Sequence, residues 1–135
     1  MVDIAQQLAQ LMSVLEEAGL ETLVMGGHAV RYYGIQRTTV DYDLVTSAST
    51  TQDVRDKILA SPALKDALEG PSWRPNDFVR FEIGKLPNGR EEWLEFWLHN
   101  HLLPDFNKLR PRAERGTYGG RELNFIALPD LIRSK

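Results

Sequence analysis

The chain has no cysteine among its 135 residues, so disulfides and thiolate metal sites are excluded. It also has no apolar run approaching the roughly 18 residues that a membrane-spanning helix needs. The N-terminus lacks a basic segment followed by a continuous apolar stretch, so no secretory leader is read there and a cytoplasmic location is expected. Internal repeats and low-complexity segments are absent. An excess of positive charge is missing too: the net charge of −3 argues against a globally basic nucleic-acid binder. One stretch runs against that balance. Residues 108–121 hold Lys108, Arg110, Arg112, Arg115 and Arg121 with Glu114 as their only acid. A strip of this kind can face a phosphate backbone, but a solvated loop face is the commoner use.

What is present fits one soluble globular domain over residues 1–135, with 42% hydrophobic and 26% charged residues. The densest information lies in Val24-Met25-Gly26-Gly27-His28-Ala29-Val30 and Arg37-Thr38-Thr39-Val40-Asp41-Tyr42-Asp43-Leu44. A glycine pair closes an apolar run; about a dozen residues on, two aspartates stand one residue apart. In a strand, positions i and i+2 point to one face, so Asp41 and Asp43 are expected side by side. Two such carboxylates repel unless a cation neutralises them. Their hard oxygens suit Mg²⁺, which binds through one or two carboxylates plus substrate phosphates. Backbone N–H groups of Gly26 and Gly27 can approach those phosphates closely, because neither residue carries a Cβ.

These blocks resemble the signature of the DNA polymerase beta-like nucleotidyltransferase superfamily. The wider pattern, with Gly-Gly-His-Ala-Val, Tyr-Gly and Arg-Thr-Thr-Val-Asp-Tyr-Asp-Leu, looks most like its bacterial branch of uncharacterised and toxin-like members, which includes abortive-infection toxins. The resemblance is densest over residues 24–45 and weaker through Trp93–Leu98 and Ile126–Lys135. It implies an α+β nucleotidyltransferase fold: a mixed, mostly antiparallel sheet of four or five strands with helices on one face and carboxylates open on the other. It implies transfer of a nucleotidyl group from a nucleoside triphosphate to an acceptor hydroxyl, on RNA or tRNA, a protein or a small molecule. Two Mg²⁺ ions and, for a toxin, an antitoxin partner go with that reading. The rival is a binding module that keeps the fold without catalysis and acts through a protein partner.

The periodicity predicts a helix over 3–18 ended near Gly19, a strand over 21–25, a helix over 28–33 and a strand over 38–45. Further on, a helix is expected over 52–59, capped from the polar turn at Ser47–Thr51, and a helical piece follows Pro62 until Gly70-Pro71 breaks it. Strands over 78–83 and 92–98 read as a hairpin about the turn Leu86-Pro87-Asn88-Gly89. Residues 99–120 read as loop, 121–126 as a strand, and Pro129 opens a short last helix. That helix is under two turns, which is marginal alone and suggests a C-terminal truncation or completion by a partner.

A third carboxylate from a neighbouring strand completes such a site in the family. Glu95 is the candidate, because an acid amid Trp93-Leu94-Glu95-Phe96-Trp97 is costly unless paired or metal-bound. It would ligate metal with Asp41 and Asp43, or act as general base. The family's usual residue there is aspartate, so Glu95 is longer by one methylene. Glu82 and Glu92 compete for the role, and the structural alternative is a Glu95 paired with an arginine across the sheet. Many active relatives have Gly-Ser where this chain has Gly26-Gly27. Arg37 resembles the family's arginine in Arg-x-Thr-x-Asp and would pair with a phosphate or with Asp41. Lys135 matches a lysine that often follows the Asp-Leu-Ile element in relatives, where it could contact the triphosphate. His28 reads mainly as a packed or exposed histidine, and Trp93 and Trp97 as core residues or a base-stacking surface. His99 and His101 are too few ligands for zinc.

Overall fold

Helix α1 (Ile4–Glu17) forms where Leu8, Met12 and Leu15 recur at helical spacing, and all three are buried. Gly19, with φ of +82°, turns the chain out of it. In this computed structural model the described residues are 4–36, 41–48, 50–60, 69–74, 78–85, 88–98 and 102–134. After α1 come β1 (Thr22–Met25), α2 (Gly26–Tyr32), β2 (Tyr42–Thr46), α3 (Thr51–Ala60), β3 (Glu69–Arg74), β4 (Phe78–Lys85) and β5 (Glu91–Trp97). Helix α4 (Phe106–Leu109), a 3₁₀ turn (Arg110–Arg112), β6 (Glu114–Tyr118), β7 (Arg121–Phe125) and α5 (Leu128–Arg133) complete the chain. No helix among the described residues is long and apolar enough to cross a membrane.

The strands form one mixed sheet in the order β3-β4-β5-β2-β1-β7-β6. Only the β2–β5 and β1–β7 pairings are parallel; the others are antiparallel. The mixed, mostly antiparallel architecture is as expected, but the described residues contain seven strands rather than four or five. Both additional strands are edges, where sequence signals are weakest. Strand β3 runs through Gly70-Pro71, read above as a break; the ladder slips there, and proline is tolerated at an edge or bulge. Strand β6 falls inside the stretch expected to be loop, and none of its residues is buried. The proposed helical piece after Pro62 lies outside the described residues. The hairpin of β4 and β5 forms as expected. Thr50 caps α3, its hydroxyl accepting from the Asp53 N–H at 3.0 Å.

Tyr42 and Leu44 pair in register with Leu94 and Phe96, and all four are fully buried. The His28 ring of α2 stacks on Tyr42, and Tyr32 stacks on Phe125. Met12 of α1 accepts a hydrogen bond from Thr22. The opposite face carries Asp43 and Glu95, but Leu23 and Val45, opposed in register on that face, are also buried. The carboxylate face is therefore covered at one end rather than open throughout.

The basic strip of residues 108–121 is largely neutralised. Arg110 pairs with Glu21 at 3.2 Å, and Arg115 with Glu122 at 3.1 Å. Arg112 grips the buried Asp130 of α5 through two hydrogen bonds of 3.1 and 2.8 Å. These partners favour the structural reading of the strip, and the last of them anchors a helix too short to hold itself. Arg112→Ala leaves the Asp130 carboxylate buried without its partner. It is expected to lower unfolding free energy by ~2 kcal/mol in urea titration, with Arg112→Ala/Asp130→Ala recovering part of the loss.

Candidate active site

Strand β1 delivers the chain into Gly26, whose register neighbour Met25 stands opposite Asp43. Gly26 has φ of +65°, a conformation that side chains rarely adopt. A Cβ there would collide with the Asp43 carboxylate, lying 2.8 Å from its Cβ and 2.9 Å from its Cγ. The first glycine is thus required twice, by its own backbone and by the aspartate packed against it. Gly27 is buried in the first turn of α2. The two sequence blocks, about a dozen residues apart, meet at this contact.

Strand β2 then places Asp43 beside β5, where Glu95 is its register partner. Neighbours in a parallel ladder share a face, and the two carboxyl groups are hydrogen-bonded. Burial pushes Asp43 up to about 8; the hydrogen bond with Glu95 and the charges of Glu95 and Asp41 act in the same direction, and a hydrogen bond from Trp97 opposes them. Asp41 immediately precedes β2 rather than lying within it. Its charge is felt by Asp43 and by Glu92, whose carboxyl is raised by burial and then by Asp41. Asp43 and Glu95 are only partly exposed, not open to solvent as expected.

Glu95 meets a second partner that the sequence left as an alternative. Arg80 of β4, directly opposite it, brings Nε to 3.1 Å from Glu95 Oε1, and its guanidinium lies 4.0 Å over the Trp93 ring. Glu95 thus lies beside Asp43 and is also paired with an arginine across the sheet, as the structural alternative had it. Of its competitors, Glu82 stands opposite Trp93. Trp97 hydrogen-bonds Asp43 rather than simply filling core. Arg37 and Lys135 lie outside the described residues, as do His99 and His101.

Behind the site, His28 is fully buried, stacked on Tyr42 at 4.8 Å, with Nδ1 3.0 Å from the Tyr118 hydroxyl. Burial, helped by the Arg31 charge, lowers it to about 4, so the ring is neutral near pH 7. Its role is packing between the glycine and aspartate blocks, not phosphate contact.

The donor set suits a hard cation in kind. It is all oxygen, and burial, with the neighbouring acids adding to it, disfavours the Asp43 charge that a cation would neutralise. Among the described residues, no three acidic or histidine side chains form a ready cage. Asp41 and Asp43 fit a shared ion completed by substrate oxygens, with Glu95 as third donor only if it is released from Arg80. A cavity of about 570 Å³ lies toward the start of β1, lined by Leu20, Leu23, Phe106 and Arg110, and holds none of these carboxylates.

No protein-family model and no curated protein matches the sequence. Solved structures do match. The chain superposes on TM1012 of Thermotoga maritima, an inferred nucleotidyltransferase, with TM-score 0.56 and 10% identity, over 98% of this chain and 84% of that one. This chain has the nucleotidyltransferase fold. JHP933 of Helicobacter pylori matches with TM-score 0.52 and 14% identity, and an inferred nucleotidyltransferase of H. pylori with 0.52 and 15%. Each covers 98% of this chain, which spans 56% and 57% of their own lengths.

In the nucleotidyltransferase-fold chain, Asp43 binds its proton more tightly folded than unfolded, since its folded value of about 8 exceeds the ordinary 3.8. Its contribution is complete at acid pH and declines as pH rises toward 8. His28 has the opposite sign: its contribution is complete above 6.5 and declines as pH falls toward 4. Thermal melts from pH 5.5 to 9 should show Asp43→Asn gaining on wild type as pH rises, by several degrees at the alkaline end. Gly26→Ala should lower the midpoint at every pH.

Proposed function

We propose that the chain transfers a nucleotidyl group from a nucleoside triphosphate to an acceptor hydroxyl. The observation that carries this reading is the packing of Asp43 against Gly26 with Glu95 alongside. It sets backbone suited to phosphate beside carboxylates suited to a cation. The Gly26-Gly27 backbone would take phosphate oxygens, with Arg37 and Lys135 as further triphosphate contacts. Asp41 and Asp43, and Glu95 once freed, would hold Mg²⁺, with two ions expected. Bound Mg²⁺ would supply neutralisation of the phosphates and of the departing pyrophosphate. The acceptor oxygen bonds to the α-phosphorus as the bond from that phosphorus to its bridging oxygen breaks. Pyrophosphate leaves with that electron pair, and Glu95 takes the hydroxyl proton. The acceptor is a hydroxyl of RNA or tRNA, of a protein side chain or of a small molecule. Likeness to toxin-like members adds an antitoxin as a protein partner.

One observation favours a second reading. Glu95 is engaged by Arg80, as in a fold retained for binding alone. Such a module would act through a protein partner, and tight Mg²⁺-dependent nucleotide binding would count against it.

Thermal-shift titration with ATP, GTP, CTP and UTP, with and without Mg²⁺, separates the outcomes. At 100-fold excess over Kd a ligand adds about 2.7 kcal/mol, a shift of several degrees. The expected result is a Mg²⁺-dependent rise with at least one nucleotide that Asp43→Asn abolishes. No shift with any of the four would overturn the nucleotide site.

A further inference from the structure

Arg80 stands on the same sheet face as Asp43 and Glu95, because Glu95 is the register partner of both Arg80 and Asp43. Its surroundings are acidic: Glu95 is in contact, Asp43 is bonded to Glu95, and Asp41 acts electrostatically on Asp43 and Glu92. A guanidinium that serves only to stabilise a sheet is expected to aim its donors at its carboxylate partner. The Nε of Arg80 is not aimed in that way. Its Nε approaches Glu95 Oε1 to 3.1 Å without the alignment of a hydrogen bond, and this buried atom has no hydrogen-bond partner. The Arg80 side chain remains one-third exposed (34%), while that of Glu95 is 16% exposed. Trp93 fixes the plane of the guanidinium from below without consuming its donors.

The geometry points to Arg80 as a further substrate-binding residue: its guanidinium leaves Glu95 for a phosphate oxygen of the bound nucleotide. This rests on the nucleotidyltransferase reading and adds a residue to it. Two consequences are joined in one movement. A phosphate gains a planar cation already oriented on Trp93, and Glu95 is released toward Asp43 and the incoming cation. Without substrate, the same guanidinium compensates Glu95. An arriving phosphate draws the guanidinium away, and the third carboxylate then becomes available.

The test is isothermal titration of the full chain with ATP and with inorganic tripolyphosphate, each with and without Mg²⁺. Wild type is compared with Arg80→Gln, Arg80→Lys and Glu95→Gln. Arg80→Gln is expected to weaken ATP binding at least tenfold, and Arg80→Lys to recover part of it. Glu95→Gln removes the competing charge, so it should bind tripolyphosphate without Mg²⁺ at least fivefold more tightly than wild type, and less so at high salt. Part of any gain is loss of repulsion, so Arg80→Gln/Glu95→Gln is titrated too: a phosphate-binding Arg80 predicts that the gain is largely lost in the double variant, and a purely structural Arg80 that it is kept. Wild type that binds ATP while Arg80→Gln binds it equally, or Glu95→Gln with no gain for tripolyphosphate, overturns the role of Arg80 alone. Wild type that binds neither probe under any condition overturns the nucleotide site and this role together. Should Arg80→Gln fail to fold, Arg80→Lys decides: ATP bound as tightly as by wild type overturns the role, and weaker binding supports it.

Discussion

The Asp43 carboxylate lies against a backbone position that admits no side chain, and the candidate site depends on that contact. Gly26 must be glycine because its φ is positive and because Asp43 occupies the space a Cβ would fill. The contact joins the end of β1 to the start of β2. Through the parallel β2–β5 pairing, Asp43 is brought beside Glu95, and the antiparallel β4–β5 hairpin sets Arg80 across from Glu95. One line of side chains, from the glycine turn through two acids to a guanidinium on an indole, thus crosses four neighbouring strands.

Such a concentration of acid needs support from behind, and the opposite face of the sheet supplies it. His28 and Tyr42 come from the glycine block and the aspartate block respectively, and their rings stack nearly parallel. Neither His28 Nε2 nor the Tyr42 hydroxyl has a hydrogen-bond partner among the described residues. That is a cost in the core, accepted where the two blocks must hold register. Burial also keeps His28 neutral, so no second charge competes with the carboxylates through the sheet.

The central strands and the hairpin were legible because their apolar alternation and turn chemistry are strong. Tyr42 and Leu44 face the core as their spacing requires, and Asn88-Gly89 joins β4 to β5. The edge strands were not legible: β3 contains Gly70-Pro71 and β6 buries none of its side chains, so neither shows a two-residue hydrophobic period. The glycine pair and the two aspartates could be read as one site from their spacing, and Glu95 stood out as an acid amid apolar residues, but the packing of Asp43 on Gly26 appears only in the fold. Arg80 could not, because nothing local marks it; its meaning appears only once hairpin register sets it opposite Glu95. Similarly, Trp97 looked like core or a stacking surface, and its bond to Asp43 is a product of tertiary placement.

The central claim is that the Gly26 turn and the Asp41–Asp43 pair bind one ligand, a nucleotide with its cation. Crystals grown with Mn²⁺ and a non-hydrolysable nucleoside triphosphate analogue, measured for anomalous scattering, test it most directly. The account predicts a manganese peak between the carboxylates of Asp41 and Asp43, with a phosphate oxygen on the Gly26-Gly27 backbone. Nucleotide bound elsewhere, or manganese absent from those carboxylates while nucleotide is present, would contradict it.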